Sequence, residues 1–371
     1  MPSGLEIRRE LDALVGRGIR SGAYAGAVAA LGREGRPLFL RAYGHCSVLP
    51  TRRRMKQNML FDLASVTKAV ATTSSVMKLV DDGRLSTSDE VRTHLPEFGV
   101  NGKKNVTVGN LLTHTSGLPD WSDLYLRHST RSDILREVCS MGLIQPAGES
   151  VRYSDLGFIV LGGIVERVAG TRLDLYATRE IFSPLAMKQT MFNPRRSLIS
   201  RCVPTEYSNW RLGILQGEVH DENAHAMEGV SGHAGLFSTA GDLLRFGAMV
   251  YQMGEFGGRR ILSPESIQAM ATNQTMNLND KRGFGWAIKP EFTGNAGDWE
   301  IAHNGYTGIS IAVSLSRRAF AAILTNRVHP VREGRVPEDK SVGIMMARRS
   351  RWTDYLPKFY QLSARLVEAN D

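Results

Sequence analysis

A chain of 371 residues, 42% apolar and 22% charged, can bury a large core and lacks the bias of a disordered or low-complexity chain. Three widely spaced cysteines, Cys46, Cys139 and Cys202, argue against a disulfide framework or a paired-cysteine metal site and read as buried thiols. The net charge of +9 is spread over scattered arginines without aromatic interleaving, which argues against a nucleic-acid partner.

Residues 1–10 are charged where a signal peptide would be apolar, and the longest apolar runs, such as 158–165, fall far short of a membrane span. The expected location is the cytoplasm, or the periplasm or exterior if a leader has been removed. Leu5, Leu11, Leu14, Val15 and Ile19 lie along one side of a helix predicted over 5–20. Apolar runs at 25–32 and 37–43, joined by Arg33-Glu34-Gly35-Arg36, predict a β-hairpin. A basic loop at 51–56 leads into a helix that carries Ser65 and runs to about Val80, where Asp81-Asp82-Gly83 ends it.

From 85 to 275 the pattern is mostly helices and loops, with helices at 108–112, 132–139, 156–168 (closed by Gly170) and 242–253 (stopped by Gly254). Strand patterns return at 285–289, 299–303, 309–315 and 320–325, the last two joined by a turn at Arg317-Arg318. The tail from about Val342 reads as helical, with Pro357 expected to break it. Strands at both ends of a helical middle predict an α/β (α+β) fold, an antiparallel sheet flanked by terminal helices with an inserted, mostly helical region. One domain over 1–371 is expected. Its α/β lobe is 1–80 with 276–371 and its helical lobe 81–275, and the Ser65 helix lies where they meet, a common place for a pocket.

The stretch Phe61-Asp62-Leu63-Ala64-Ser65-Val66-Thr67-Lys68 sets a serine and a lysine about 60° apart on one helical face, within hydrogen-bonding reach. A serine hydroxyl is a poor nucleophile until a neighbouring base or cation activates it, which such a lysine can do. A second copy, Ser75-Val76-Met77-Lys78, occupies another face of the same helix, and spacing alone does not choose between them.

Distant residues do choose. Ser65-Val66-Thr67-Lys68, Tyr153-Ser154-Asp155 and His303-Asn304-Gly305 follow one another in order, within the context Leu111-Leu112-Thr113-His114-Thr115-Ser116-Gly117-Leu118, Gly232-His233-Ala234-Gly235-Leu236-Phe237-Ser238-Thr239-Ala240 and Tyr306-Thr307-Gly308. From about residue 10 to 330 the chain resembles the serine β-lactamase and penicillin-binding-protein superfamily, in its class C, family VIII carboxylesterase and D-aminopeptidase branch. Two lookalikes, Tyr207-Ser208-Asn209 and His233-Ala234-Gly235, are set aside: Tyr153 directly precedes the apolar 156–168 helix, and only His303 ends a predicted strand. The Phe-x-x-Ala-Ser-x-Thr-Lys setting favours Ser65 over Ser75, which with Lys78 is assigned to the helix surface.

The resemblance implies a β-lactamase-like fold and a serine hydrolase that works through an acyl-enzyme on Ser65. It implies that Lys68 and Tyr153 share proton transfer, and that the backbone N–H groups of Ser65 and Tyr306 form the oxyanion hole. Asp155, His303, Asn304 and Gly305 are then expected to bind substrate. No cofactor and no metal are expected, and the partner is a small ester, amide or β-lactam. Two departures from the family pattern carry physical weight. Asp155 stands where Asn is usual, and an anion about 4 Å from an ammonium is worth about 4 kcal/mol at an effective dielectric of about 20, which weakens Lys68 as a base and shifts weight to Tyr153. His303 replaces a lysine and is mostly neutral at about pH 7, so a fixed cation for a substrate carboxylate is not expected, and small carboxylic esters, with weak β-lactam turnover, become the leading substrates. A D-amino-acid peptidase or amidase, a true β-lactamase and a non-catalytic penicillin-binding-like sensor are the alternatives.

Other residues receive plainer readings. His220 and His225 are five apart, not the four that place two ligands on one helical face, so a polar loop near the pocket is expected there. His114 reads as structural, and Trp121 and Tyr125 as packing residues or pocket lining. The absence of a Gly-x-Ser-x-Gly elbow argues against an α/β-hydrolase.

Overall fold

The computed structural model describes residues 3–294, 299–331 and 351–370. Its frame is an eight-stranded antiparallel sheet. In spatial order the strands are Arg282–Gly283, Trp286–Ile288, Ile301–Gly305, Ile309–Ser314, Ala319–Thr325, Gly26–Arg33, Arg36–Ser47 and Arg53–Arg54. The first and last parts of the chain meet at its centre, where Ala27 pairs with Thr325 and Leu31 with Ala321. Alternation along these strands divides the molecule into two cores. Ala27, Ala29, Leu31, Ala312, Ala321 and Ile323 face the terminal helices Gly4–Arg20 and Leu356–Glu368, which press on them with Leu11, Leu14, Phe359 and Leu366. The alanines let both helices approach closely. Val28, Ala30, Ile311, Phe320 and Leu324 point the other way, into a larger core shared with the helices of the middle of the chain.

The hairpin and all four late strands form where the alternation placed them, and the 156–168 pattern becomes the helix Asp155–Ala169, ended by Gly170 at φ +68°. Two expectations are corrected. Pro357 does not break the tail helix but sits in its first turn, where a missing N–H costs nothing; residues 342–350 of that expected helix lie outside the described residues. Ser75 is not on the surface: it is fully buried, while Lys78 pairs with Asp82 outside. No helix among the described residues is long and apolar enough to cross a membrane.

Three contacts bring the site together. The helix that begins after Ser65 widens to π geometry over Lys68–Thr73 before becoming α-helical at Ser74, a feature common where a helix carries function. The strand Ile301–Gly305 lies beside it, and period two turns Ile301, His303 and Gly305 toward the same side. Thr307 Oγ1 then donates to Asp62 O at 2.7 Å, tying the end of that strand to the nucleophile turn. Gly305 has a specific reason to lack a side chain, since a Cβ there would stand 2.3 Å from the Leu63 carbonyl oxygen. Gly305→Ala is therefore expected to push the strand off the Ser65 turn. A displacement of about 1 Å can cost about 10²-fold in rate, so kcat should fall by at least that factor. Unchanged kcat in Gly305→Ala would show that the strand and the turn move independently.

Candidate active site

The nucleophile turn is held from below by Asp62. This buried carboxylate accepts from Ala64 N at 2.8 Å through one oxygen and from His220 N at 2.6 Å through the other. Burial pushes its pKa up against those two N–H donors. Ala64 sits at φ +46°, a left-handed conformation that costs a non-glycine residue energy and recurs at functional sites. The helix starts directly after it, with Lys68 N donating to Ser65 O at 3.0 Å.

The spacing of the two side chains works as the sequence implied: Lys68 Nζ donates to Ser65 Oγ at 3.0 Å. Lys68 is fully buried, and Nζ also donates to the His233 carbonyl at 3.1 Å and forms an ion pair with Asp155 Oδ1 at 2.7 Å. Burial alone would depress its pKa, but the Asp155 carboxylate and the Tyr153 phenol together outweigh burial and raise it. An ammonium is the stable form.

Tyr153 is presented by the turn that opens the helix Asp155–Ala169. Ser154 caps that helix by accepting from Gly157 N at 3.1 Å, and its hydroxyl donates to Pro119 O at 2.6 Å. Lys68 Nζ lies 5.0 Å from the centre of the Tyr153 ring. His114, at φ +59°, packs its ring 4.3 Å from that of Tyr153, and its Nδ1 accepts from Ser154 N at 3.0 Å. Burial, reinforced by the positive charges of Arg282 and Lys68, holds its pKa well below the usual histidine value. The structural reading of His114 thus gains a definite content: a neutral ring that backs Tyr153.

The third motif faces the same opening. Ser65, Tyr153, His303, Asn304, Gly305 and Tyr306 all line one cavity of about 880 Å³. His303 Nδ1 donates to the Asn304 carbonyl at 2.9 Å, which leaves Nε2 as a buried acceptor without a partner; Asn304 Oδ1 is likewise unpartnered. Burial, with Lys68 and Arg282 nearby, pushes the His303 pKa down to about 3. The imidazole is neutral, as expected. The absence of a fixed cation, however, is corrected. Arg282 lines the same cavity with its guanidinium 5.7 Å from the Tyr153 ring centre, and Lys281 and Lys289 line it too, three cations against the carboxylates of Asp280 and Glu291. Arg282 shares its charge with Asp280 at 2.7 Å. No motif marks this arginine in the sequence, because only pairing of Arg282 with Ala287 in the sheet brings it beside His303.

A low histidine pKa makes stability depend on pH. Between about pH 6.5 and pH 3 the unfolded chain takes up a proton that folded His303 refuses, so its contribution is complete above that window and is lost as pH falls through it. For this residue alone the loss at about pH 4.5 is about 3 kcal/mol. Urea unfolding at the two ends of the window should show a smaller acid loss in His303→Asn than in wild type; equal losses would mean that the ring is not held neutral.

The lookalike His233-Ala234-Gly235 turns out to matter for another reason. Its first carbonyl receives the Lys68 ammonium, and the His233 ring bridges Asp221 Oδ1 and Ser231 Oγ, each at 2.8 Å. Burial would raise the pKa of Asp221, but His233 and the Ala224 N–H hold it below the usual carboxylate range. Asp155, Asp221 and His233 form a group compact enough to suggest a metal, with their ligand atoms within 4.8 Å. Protein partners already satisfy it: Lys68 holds Asp155, and both His233 nitrogens are engaged. His220 and His225 do not come together; His220 is buried against Glu206 and His225 lies 5.5 Å from the Trp210 ring. Tyr207, the other lookalike, sits in a short strand with its N–H on Pro330 O.

Known proteins share this fold. A model of the Beta-lactamase family matches residues 11–341. An N-acetylmuramyl-L-alanine amidase of Bacillus subtilis is 31% identical over 362 residues, covering 86% of this chain and 81% of that protein. A provisionally named D-alanyl-D-alanine carboxypeptidase of Escherichia coli is 29% identical, covering 73% of this chain and 69% of its own. Among solved structures, EstCE1, a hydrolase with promiscuous acyltransferase activity, superposes with a TM-score of 0.73 at 20% identity, over 95% of this chain and 99% of its own. The chain belongs to the beta-lactamase family and is a serine hydrolase.

Proposed function

We propose that the protein is an acyl-serine amidase whose substrate carries a carboxylate on its leaving side. The observation that carries this reading is Arg282, a permanent cation stacked at 5.7 Å over Tyr153 in the cavity that reaches Ser65. In this reading Ser65 Oγ attacks the amide carbonyl and Tyr153, beside the Lys68 ammonium, is the base that takes its proton. The backbone N–H groups of Ser65 and Tyr306 hold the oxyanion. Tyr153 then returns the proton to the departing amine, and water releases the acyl group by the same route. Arg282 sits on the Tyr153 side, so a carboxylate it holds belongs to the group that Tyr153 protonates. The names of the two curated relatives, an amidase and a carboxypeptidase, support amide substrates. Small esters are the second reading, favoured by the neutral third-motif His303.

The test is a matched panel: an N-acyl-L-alanine, its C-terminal carboxamide, and a p-nitrophenyl ester of the same acyl group. An amidase of this kind hydrolyses the free acid with a lower KM than the carboxamide, and Arg282→Ala narrows that gap. Turnover of the ester alone would replace this reading with the second.

A further inference from the structure

Residues 151–154, which carry Tyr153, belong to no regular element, and the helix begins only at Asp155. A proton acceptor that must meet Ser65 at a fixed distance needs such a segment held from outside. The support comes from residues 113–120, a second irregular segment. Arg152 N donates to His114 O at 2.8 Å, and Ser154 N donates to His114 Nδ1 at 3.0 Å. Further along, Ser154 Oγ donates to Pro119 O at 2.6 Å and Asp155 N to Asp120 O at 2.8 Å. A single residue, His114, thus holds the main-chain N–H groups on both sides of Tyr153. Its ring lies 4.3 Å from the Tyr153 ring and 5.0 Å from that of Phe158.

His114 is itself pinned. Its backbone lies at φ +59°, and the residues on either side, Thr113 and Thr115, bond hydroxyl to hydroxyl at 2.9 Å. Thr113 Oγ1 also donates to Gly109 O at 2.8 Å, and Asn110 Nδ2 donates to Thr115 Oγ1 at 3.1 Å. All three residues of this Thr-His-Thr run are buried. A left-handed residue other than glycine persists where its surroundings over-determine it. The two threonines do that here.

The bond from Ser154 also fixes a proton. A backbone N–H can only donate, so Nδ1 presents its lone pair and the ring proton sits on Nε2. Protonation of Nδ1 would set two donors face to face. Burial, with the positive charges of Arg282 and Lys68 nearby, opposes it. A residue that only filled space would need none of this, since a leucine would pack against Tyr153 and Phe158 as well.

From this geometry we infer that His114 is a positioning residue for Tyr153. Its carbonyl and Nδ1 lock residues 152 and 154, and its ring backs the phenol, so that the phenol is held at its distance from Ser65. The effect on rate rests on the reading that Tyr153 takes the Ser65 proton; the clamp itself does not, and the two are separable by experiment.

Two measurements test it. The first is the rate at which an alkyl fluorophosphonate labels Ser65 with loss of fluoride, a reaction that uses the nucleophile and its base but no particular substrate. His114→Ala should label about 10²-fold more slowly, the cost of a displacement of about 1 Å. His114→Asn should recover most of that loss, because its Oδ1 stands as many bonds from Cα as Nδ1 does and asparagine tolerates left-handed backbone. The double variant His114→Ala/Tyr153→Phe should be no slower than Tyr153→Phe alone, since both changes disable one step. A His114 that served stability alone would lower the urea midpoint and leave the labelling rate of the folded protein unchanged. Wild-type labelling of His114→Ala while Tyr153→Phe is slow overturns the inference. Losses that multiply in the double variant, or His114→Asn no faster than His114→Ala, overturn it too. The second measurement is backbone hydrogen exchange over residues 150–156, which His114→Ala should speed. Faster exchange supports the clamp even if Tyr153→Phe labels at the wild-type rate, an outcome that would overturn only the reading of Tyr153 as the base. Unchanged exchange overturns the clamp.

Discussion

Ser65→Ala is expected to lower kcat/KM by at least about 10⁴-fold, with no fall in thermal stability, because the acyl-enzyme route has no substitute for its nucleophile. The methyl group is smaller than the hydroxymethyl and leaves Lys68 with two other partners, Asp155 at 2.7 Å and the His233 carbonyl at 3.1 Å. The fold should therefore tolerate it. Tyr153→Phe removes the proposed proton acceptor and should cost about 10²–10⁴-fold, the usual range for general acid–base catalysis. The two losses should not add: the double variant should be no slower than Ser65→Ala alone, since both residues serve one step. Intact mass supplies an independent reading, with an acyl adduct that accumulates on slow substrates in wild type and is absent from Ser65→Ala. Residual turnover above a few per cent in Ser65→Ala would remove Ser65 from the mechanism.

The second large effect concerns the ion pair beneath it. Asp155→Ala leaves a fully buried ammonium without its counter-charge, and breaking a buried pair on one side costs about 3–5 kcal/mol. Asp155→Asn keeps the shape and should cost less. The sign with pH follows from the direction of the Lys68 shift. Its folded pKa is raised, so the stabilisation is complete below the unfolded lysine value of about 10.4 and is lost only as pH rises through the higher folded value. The difference between wild type and Asp155→Ala should thus be flat across neutral pH and shrink only in strong alkali. Urea unfolding across that range checks it, and equal stability of the two proteins at pH 7 would show that water, not Asp155, balances Lys68.

Much of the frame was legible along the chain because its signals are local. Alternation with period two located the strands Ile301–Gly305 and Ala319–Thr325 to within two residues, and an apolar helix stopped by glycine located Asp155–Ala169. The Pro357 reading failed for an equally local reason: a proline that breaks a helix in its middle also starts one well, and only the position of the first turn tells these apart. Ser75 was misread because the π-helical stretch before it and the packing around the helix decide what is buried, and neither follows from spacing.

What the sequence by itself determined was the set of chemical parts. It supplied Ser65 and Lys68 one turn apart, Tyr153 before its helix, and a neutral imidazole at His303 with a carboxylate at Asp155. Those follow from covalent spacing and residue type. Only the tertiary structure decided how the parts are charged and what surrounds them. Lys68 is an ammonium because folding sets it against Asp155, and Arg282 lines the same cavity as His303 because sheet pairing brings it there. The 121–125 loop meets the short helix Glu222–Ala226 because Asn223 bonds Ser122 O and Tyr125 N across about a hundred residues of sequence. Long-range burial and pairing set electrostatic energies, and a linear pattern carries no measure of either.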